Sequence, residues 1–113
     1  MRTGKTSASR RNRLVSILRR VTSDDGFSSD AAGYEEMDQR WMAREEASDG
    51  EQIRAAALGA TITARFHAEL DDLTAAISTG DRLAYEGTTY EVTGTKEIGR
   101  REGVEITTKA VDA

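Results

Sequence analysis

Residues 60–70 read ATITARFHAEL, the most regular alternation in the chain. Ile62, Ala64, Phe66, Ala68 and Leu70 share one parity, and Thr61, Thr63, Arg65, His67 and Glu69 share the other. Successive side chains of an extended chain point to opposite faces, so this period of two specifies a strand with one apolar and one polar wall. Upstream, residues 13–22 (RLVSILRRVT) repeat the pattern, with Val15, Ile17 and Val21 opposed to Leu14, Ser16, Leu18 and Arg20. Downstream, residues 82–86 (RLAYE) and 88–94 (TTYEVTG) flank Gly87 as a hairpin, with Leu83 and Tyr85 matched by Tyr90 and Val92. Residues 103–111 (GVEITTKAV) supply a closing strand with Val104 and Ile106 inward. Residues 39–47 (QRWMAREEA) read as a short strand centred on Trp41 and Ala43, although the same residues have good helix propensity. Phe66, Tyr85, Tyr90 and Trp41 all fall where the alternation predicts core.

Between these strands lie one helix and two connections. Ser48 precedes Glu51 by three residues, the spacing of a capping box, and Asp49 and Glu51 suit the positive end of a helix dipole. Ile53, Ala56 and Ala57 form an apolar stripe and Gly59 is a natural stop, so residues 48–59 read as a helix of two to three turns. Residues 71–80 (DDLTAAISTG) read either as a loop or as one helical turn carrying Leu73 and Ile77. Residues 23–33 (SDDGFSSDAAG) are turn-rich and long for a connection within a compact domain, which marks a functional or mobile loop. The fold class that follows is mainly β: a small antiparallel barrel or sandwich of five to six strands, one short α-helix and a long loop.

With 113 residues the chain is one domain with a tail, and 37% apolar residues and a mean hydropathy of −0.60 allow only a thin core. Neighbouring subunits are therefore expected to contribute to its stability. No apolar run approaches the ~20 residues that span a bilayer, and no signal peptide is visible at the basic N-terminus. The chain has no Cys, which excludes disulfides, thiolate catalysis and Cys-based zinc sites. Its charge is unevenly placed. Residues 1–20 hold Arg2, Lys5, Arg10, Arg11, Arg13, Arg19 and Arg20 and no acid, whereas residues 21–51 hold ten acids against Arg40 and Arg44. Residues 1–12 accordingly read as a basic arm, disordered in an isolated monomer and able to order on assembly, ahead of a single domain over 13–113.

A search for catalytic chemistry finds none. His67 is the single His and sits on the polar face of its strand, with no nucleophile or second ligand in a recognisable pattern. Asp71 and Asp72 lack the spaced ligands of a cation loop, the glycines form no phosphate loop, and Ser28-Ser29 has no nearby base pattern. The expectation is a non-enzyme without cofactor or metal. Nucleic-acid binding is the rival reading, since small barrels bind single strands through a basic groove and stacked aromatics. The arm and the Arg100-Arg101 turn are basic, but the folded part is acidic and its aromatics fall at core positions.

In the order of its motifs the chain resembles the phage head–tail joining family, the head completion or stopper proteins of long-tailed phages. The resemblance runs from Gly4-Lys5 through the Arg-initiated strand at 13–19, an Asp-Asp-Gly loop at Asp24, Asp25 and Gly26, and the Trp-centred strand at 41–43. It continues through an Ala-rich helix at 49–58, GATITARF at 59–66, Asp81-Arg82-Leu83, and YEGTTY at 85–90. KEIGRR at 96–101 and Glu-Ile-Thr at 105–107 complete it. Two departures are local: Ser78-Thr79-Gly80 stands where a Pro is frequent, and Leu18 stands where a polar residue is usual.

The resemblance implies a structural virion protein of the neck, assembled in the host bacterial cytoplasm, that acts through interfaces. Its implied partners are copies of itself in a ring, the portal–adaptor ring on the head side, and a tail terminator or tail tube protein on the other. Double-stranded DNA passes through the channel without sequence-specific contact, and no membrane is involved. The arm, through Arg10, Arg11 and Arg13, is the candidate for docking on an acidic adaptor surface. The loop 23–37, with Asp24, Asp25, Gly26, Asp30, Glu35 and Glu36, is the candidate channel-facing element, because a ring of negative charge repels phosphates and lets DNA slide. An outward solvated loop is the alternative reading of the same residues, and residues 71–80 are the second candidate for the channel. The competing class remains a free-standing nucleic-acid-binding barrel with a basic arm.

Overall fold

A computed structural model of the chain describes residues 11–21 and 33–111. Six strands, β1 (Arg13–Arg20), β2 (Tyr34–Glu46), β3 (Ala64–Glu69), β4 (Arg82–Tyr85), β5 (Thr88–Ile98) and β6 (Gly103–Val111), close into an antiparallel barrel in the order β1-β2-β3-β6-β5-β4. Of the two architectures the alternation allows, closure selects the barrel, and β1 completes it by pairing with β4 through Ser16↔Ala84, Ile17↔Leu83 and Leu18↔Arg82. Two helices, α1 (Asp49–Ala57) and the single turn α2 (Asp72–Ala75), occupy the β2–β3 and β3–β4 connections.

The interior is the parity set read from the sequence. Val15, Ile17, Ala64, Phe66, Ala68, Leu83, Tyr90, Val92, Val104 and Ile106 are buried, joined by Met42 and by Ile77 from the α2 connection. Phe66 and Tyr90 meet edge to face at 5.1 Å and 72°. Each fully buried side chain of this size is worth about 1.5–3 kcal/mol relative to exposure, which is how a thin core holds a barrel closed. The two buried threonines are satisfied: Thr108 Oγ1 donates to Ala64 O at 2.8 Å and Thr74 Oγ1 to Glu69 O at 2.8 Å.

Four expectations need correction. Trp41 is not core: the register Met42↔Ala68 puts Met42 inside, so its neighbour Trp41 points out, opposite Leu14, and is 59% exposed. The apolar stripe of α1 does not face the barrel either. No α1 residue is buried, and Ile53 is 70% exposed, because the face turned to the barrel carries Glu51 and Ala55. His67 does lie on the outward parity of β3 but is only 8% exposed, since a side chain on a strand paired on both sides is flanked by cross-strand neighbours, here Ala43 and Glu105. Finally, β3 begins at Ala64, not at residue 60. Thr63 N–H already donates to Thr108 O, but the chain ahead of it is leaving α1.

Two strands are longer than the alternation predicts. β2 begins at Tyr34, and β5 runs on to Ile98 through a bulge between Val92 and Gly94. Both extensions are charged and pair on one side only, β2 with β1 ahead of Met42 and β5 with β6 beyond Val92, so burial leaves no period-two signal in them. Residues 71–80 resolve to one turn of helix. Asp71 caps α2 by accepting from Thr74 N, and Leu73 and Ile77 pack against the core from it.

Candidate docking faces of the barrel

Antiparallel order assigns every connection to one of two ends. One end carries the start of β1, α1, and the β4–β5 turn. The other carries the end of β1, the start of β2, the α2 connection, and the turn at residues 99–102. The described part of the first candidate channel segment, residues 33–37, therefore shares an end with the second, 71–80, and β1 begins at the opposite one.

At the arm end the barrel is closed by two arginines stacked on two tyrosines. Arg13 Nη1 donates to Tyr85 Oη at 2.7 Å, and its guanidinium lies 5.6 Å from that ring's centroid. Arg44 Nε donates to Tyr90 Oη at 3.3 Å, at 5.7 Å from that ring. Such pairs combine cation–π attraction with a charge-assisted hydrogen bond. Of the three candidate docking residues, Arg13 is thus engaged within the barrel end, Arg11 places Nη2 3.3 Å from where a Cβ on Gly103 would stand, and Arg10 lies outside the described residues.

At the other end, Asp24, Asp25, Gly26 and Asp30 lie outside the described residues, as does the arm over residues 1–10. Their segment is held at its base, where Val21 N–H donates to Gly33 O at 3.2 Å. Glu35 and Glu36 are strand residues, not loop residues, paired across to Arg19 and Leu18 and exposed to solvent. Their acidity therefore belongs to the stem beneath the loop. Arg82 stacks over Tyr34 at 4.3 Å on the same stem, and Tyr34 Oη donates to Gly80 O, which ties the stem to the α2 connection. Arg40 adds a second tie by bridging Asp71 at 2.8 Å and Asp38 at 2.9 Å. Those hydrogen bonds hold both carboxyls below their ordinary values. For Asp38 the Arg40 guanidinium is the main cause. For Asp71, burial pushes upward and is outweighed by the Thr74 N–H and Arg40.

The side wall holds an ion network that sequence reasoning missed. Glu105 pairs with Arg65, whose Nε lies 3.1 Å away, with His67 Nε2 at 3.7 Å and Lys96 Nζ at 3.6 Å. Arg65 Nη1 reaches Glu51 Oε2 at 2.7 Å and so fastens α1 to β3. Glu51, Arg65, Lys96 and Glu105, with Glu45, Gly94, Thr95 and Thr107, line an open groove of about 460 Å³. The available signal was the outward parity of Arg65, His67 and Glu105, but the network needs the β3–β6 register, which one strand's sequence does not reveal. Glu51 is held below the usual carboxylate range by the Ser48 backbone N–H first and by Arg65 second.

Among the described residues no group of three His, Cys, Asp or Glu side chains is placed to hold a metal ion. Phe66 and Tyr90 are buried, and Tyr34 and Tyr85 are covered by arginines, which leaves Trp41 as the one broadly exposed aromatic among the described residues. Among the described residues no helix is long and apolar enough to cross a membrane.

Comparison with known proteins agrees with the barrel. The solution structure of protein SF1141 from Shigella flexneri 2a superposes with a TM-score of 0.64 over 93% of this chain and 96% of that one. At 17% identity, that likeness establishes the shared fold alone. No curated protein matches the sequence significantly. The model of the phage head completion protein family matches residues 6–111, nearly the whole chain and all six strands. The chain belongs to the phage head completion protein family.

Proposed function

We propose that this protein is a subunit of the head–tail connector, forming a ring beneath the portal–adaptor assembly that helps retain packaged DNA and docks the tail. The family match over residues 6–111 carries the reading. The barrel supports it in kind, because its distinctive features are surfaces: an acidic stem at one end and walls with unpaired strand edges, with a basic segment preceding β1 in sequence. In this reading the arm, with Arg10 and Arg11, docks on the adaptor. The opposite end faces the channel, where Glu35, Glu36 and the acidic residues Asp24, Asp25 and Asp30 repel DNA phosphates. The protein then works in the virion neck after assembly in the host bacterial cytoplasm, through interfaces and not through catalysis.

Mass spectrometry of purified DNA-filled particles, with negative-stain images of particles lacking the protein, tests this. A ring component is recovered at a few to about a dozen copies per particle, as closed symmetry requires, and its loss leaves full or leaking heads without tails. Absence from particles overturns the reading and leaves the nucleic-acid-binding alternative, which a salt-dependent DNA affinity of the monomer would support.

A further inference from the structure

The polar groove on the side wall crosses the strands instead of following one of them. Its floor keeps the register Glu45↔Arg65, Arg65↔Thr107 and Thr107↔Gly94, and so runs over β2, β3, β6 and β5. Acids outnumber bases in it, Glu45, Glu51 and Glu105 against Arg65 and Lys96. Arg65 is already shared between Glu51 and Glu105, while Glu45 is exposed and enters no ion pair among the described residues. Gly94 leaves the floor bare, since a Cβ there would meet nothing within 4 Å. The groove is therefore open, narrow in its demands on side-chain bulk, and short of positive charge.

The first described residue of the chain shows where the N-terminal segment sets out. Arg11 brings Nη2 to 3.3 Å from the point where a Cβ on Gly103 would stand. Val104 and Ile106 are core, so Gly103, Glu105 and Thr107 share the outer face of β6. Gly103 is thus one outward position from Glu105, at the margin of the groove. The register Arg13↔Met42, Met42↔Ala68 and Ala68↔Val104 makes the way over β2 and β3 the short one from β1 to this point, three strand spacings or about 14 Å. Arg11 is accordingly laid across the wall that carries the groove. Residues 1–10 (MRTGKTSASR) hold Arg2, Lys5 and Arg10 and no acid, with small residues between them. Fully extended, ten residues span about 33–36 Å, more than the four strands of the floor require. Starting point, reach and charge agree on one occupant.

We infer that residues 1–10 seat in the groove of their own chain, with their cations against Glu45, Glu51 and Glu105. The arm then has a place before assembly, and docking on an adaptor requires its release. That consequence rests on the connector reading, whereas the seat itself does not.

A nitroxide on the full-length variant Thr6→Cys reads the seat, because the chain has no Cys of its own. Amide signals are compared with the label oxidised and reduced. The expected result is selective loss at Thr95, Lys96, Glu105 and Thr107, with Glu35 and Glu36 unaffected. Loss spread evenly over the surface, or centred on the stem acids, overturns the seat. Isotope-labelled wild-type chain mixed with unlabelled nitroxide-bearing chain should lose nothing; loss in that mixture puts the arm in a neighbour's groove and overturns the arrangement within one chain. Gly94→Phe fills the floor, and Glu45→Lys reverses an exposed charge without touching the core. Each should restore the lost signals with the label in place, as added salt should in part. Loss that survives both substitutions overturns the assignment. Protein recovered in particles without the selective loss leaves the connector reading standing and the seat refuted. Selective loss in a protein absent from particles does the reverse.

Discussion

Arg13, the first residue of β1, donates from Nη1 to the hydroxyl of Tyr85, the last residue of β4, at 2.7 Å while lying over the same ring. Separated by 72 positions in sequence, the two residues pin the end of the barrel from which the arm departs. The paired strands between β1 and β4 reach only from Ser16 to Leu18, so the seam is short and this contact extends it. Tyr85→Phe removes the hydrogen bond and keeps the stacking, and should cost about 0.5–1.5 kcal/mol in urea denaturation. Arg13→Ala removes both and should cost more. Comparison of the two variants in particle assembly separates roles, because a docking function of Arg13 would make Arg13→Ala assembly-defective beyond its stability loss.

The sequence reveals most of the barrel because its walls differ. β3, β6 and the β4–β5 hairpin are bounded by turn residues and have one buried face, so Phe66, Leu83, Tyr90, Val92, Val104 and Ile106 declare themselves by parity. The failures share a cause, which is burial supplied or withheld by something outside the segment. In β2, QRWMAREE offers Trp41 and Met42 on opposite parities, and only pairing with Ala68 chooses Met42. In α1 the apolar stripe is real, but the face turned to the barrel carries Glu51 and Ala55 instead. Glu35 and Glu36 looked like loop because a charged stem paired on one side carries no burial pattern.

The β4–β5 turn holds an avoidable strain. Glu86 has φ +51 and Gly87 φ +79, both in the left-handed region that a two-residue hairpin of this kind demands. Gly87 adopts it freely, whereas Glu86 does so against its Cβ. Glu86→Asn should therefore stabilise the protein by about 0.5–1 kcal/mol, a part of the ~1–2 kcal/mol that the left-handed region costs an ordinary L-residue. At the sensitivity of a domain this size, that raises Tm by roughly 2–8 °C in a thermal melt. Gly87→Ala should lower it.

Acid should weaken the ties of α1 and of the stem. The carboxyls of Glu51 and Asp71 are held below their ordinary values of 4.5 and 3.8. A carboxyl that ionises lower in the folded chain than in the unfolded one adds stability above the ordinary value. That contribution is lost as pH falls through the folded value. Stability should therefore be flat from pH 7 to about 5 and decline below 4.5. Amide exchange in α1 should accelerate over the same range. Arg40→Met should flatten the part of the decline due to Asp71, and Arg65→Met should free α1 at neutral pH; unchanged profiles would refute both ties.

The acidic end offers the sharpest test of how the connector meets DNA. Residues 22–32 are bracketed by the Val21–Gly33 hydrogen bond, and in sequence their acids Asp24, Asp25 and Asp30 precede the exposed stem acids Glu35 and Glu36. If this end lines the channel, like charge keeps phosphates from pairing with the wall. Replacing Asp24, Asp25 and Asp30 together with Asn should leave particle assembly intact but slow DNA ejection or alter its retention. The effect should shrink as salt rises and screens the phosphates. Glu35→Gln with Glu36→Gln should have a smaller effect in the same direction if the stem stands back from the DNA, and a larger one if it lines the narrowest point. Ejection kinetics on particles carrying each set distinguish these cases. Identical kinetics in all of them would place the acidic end on the outside of the ring, where its charge serves solubility alone.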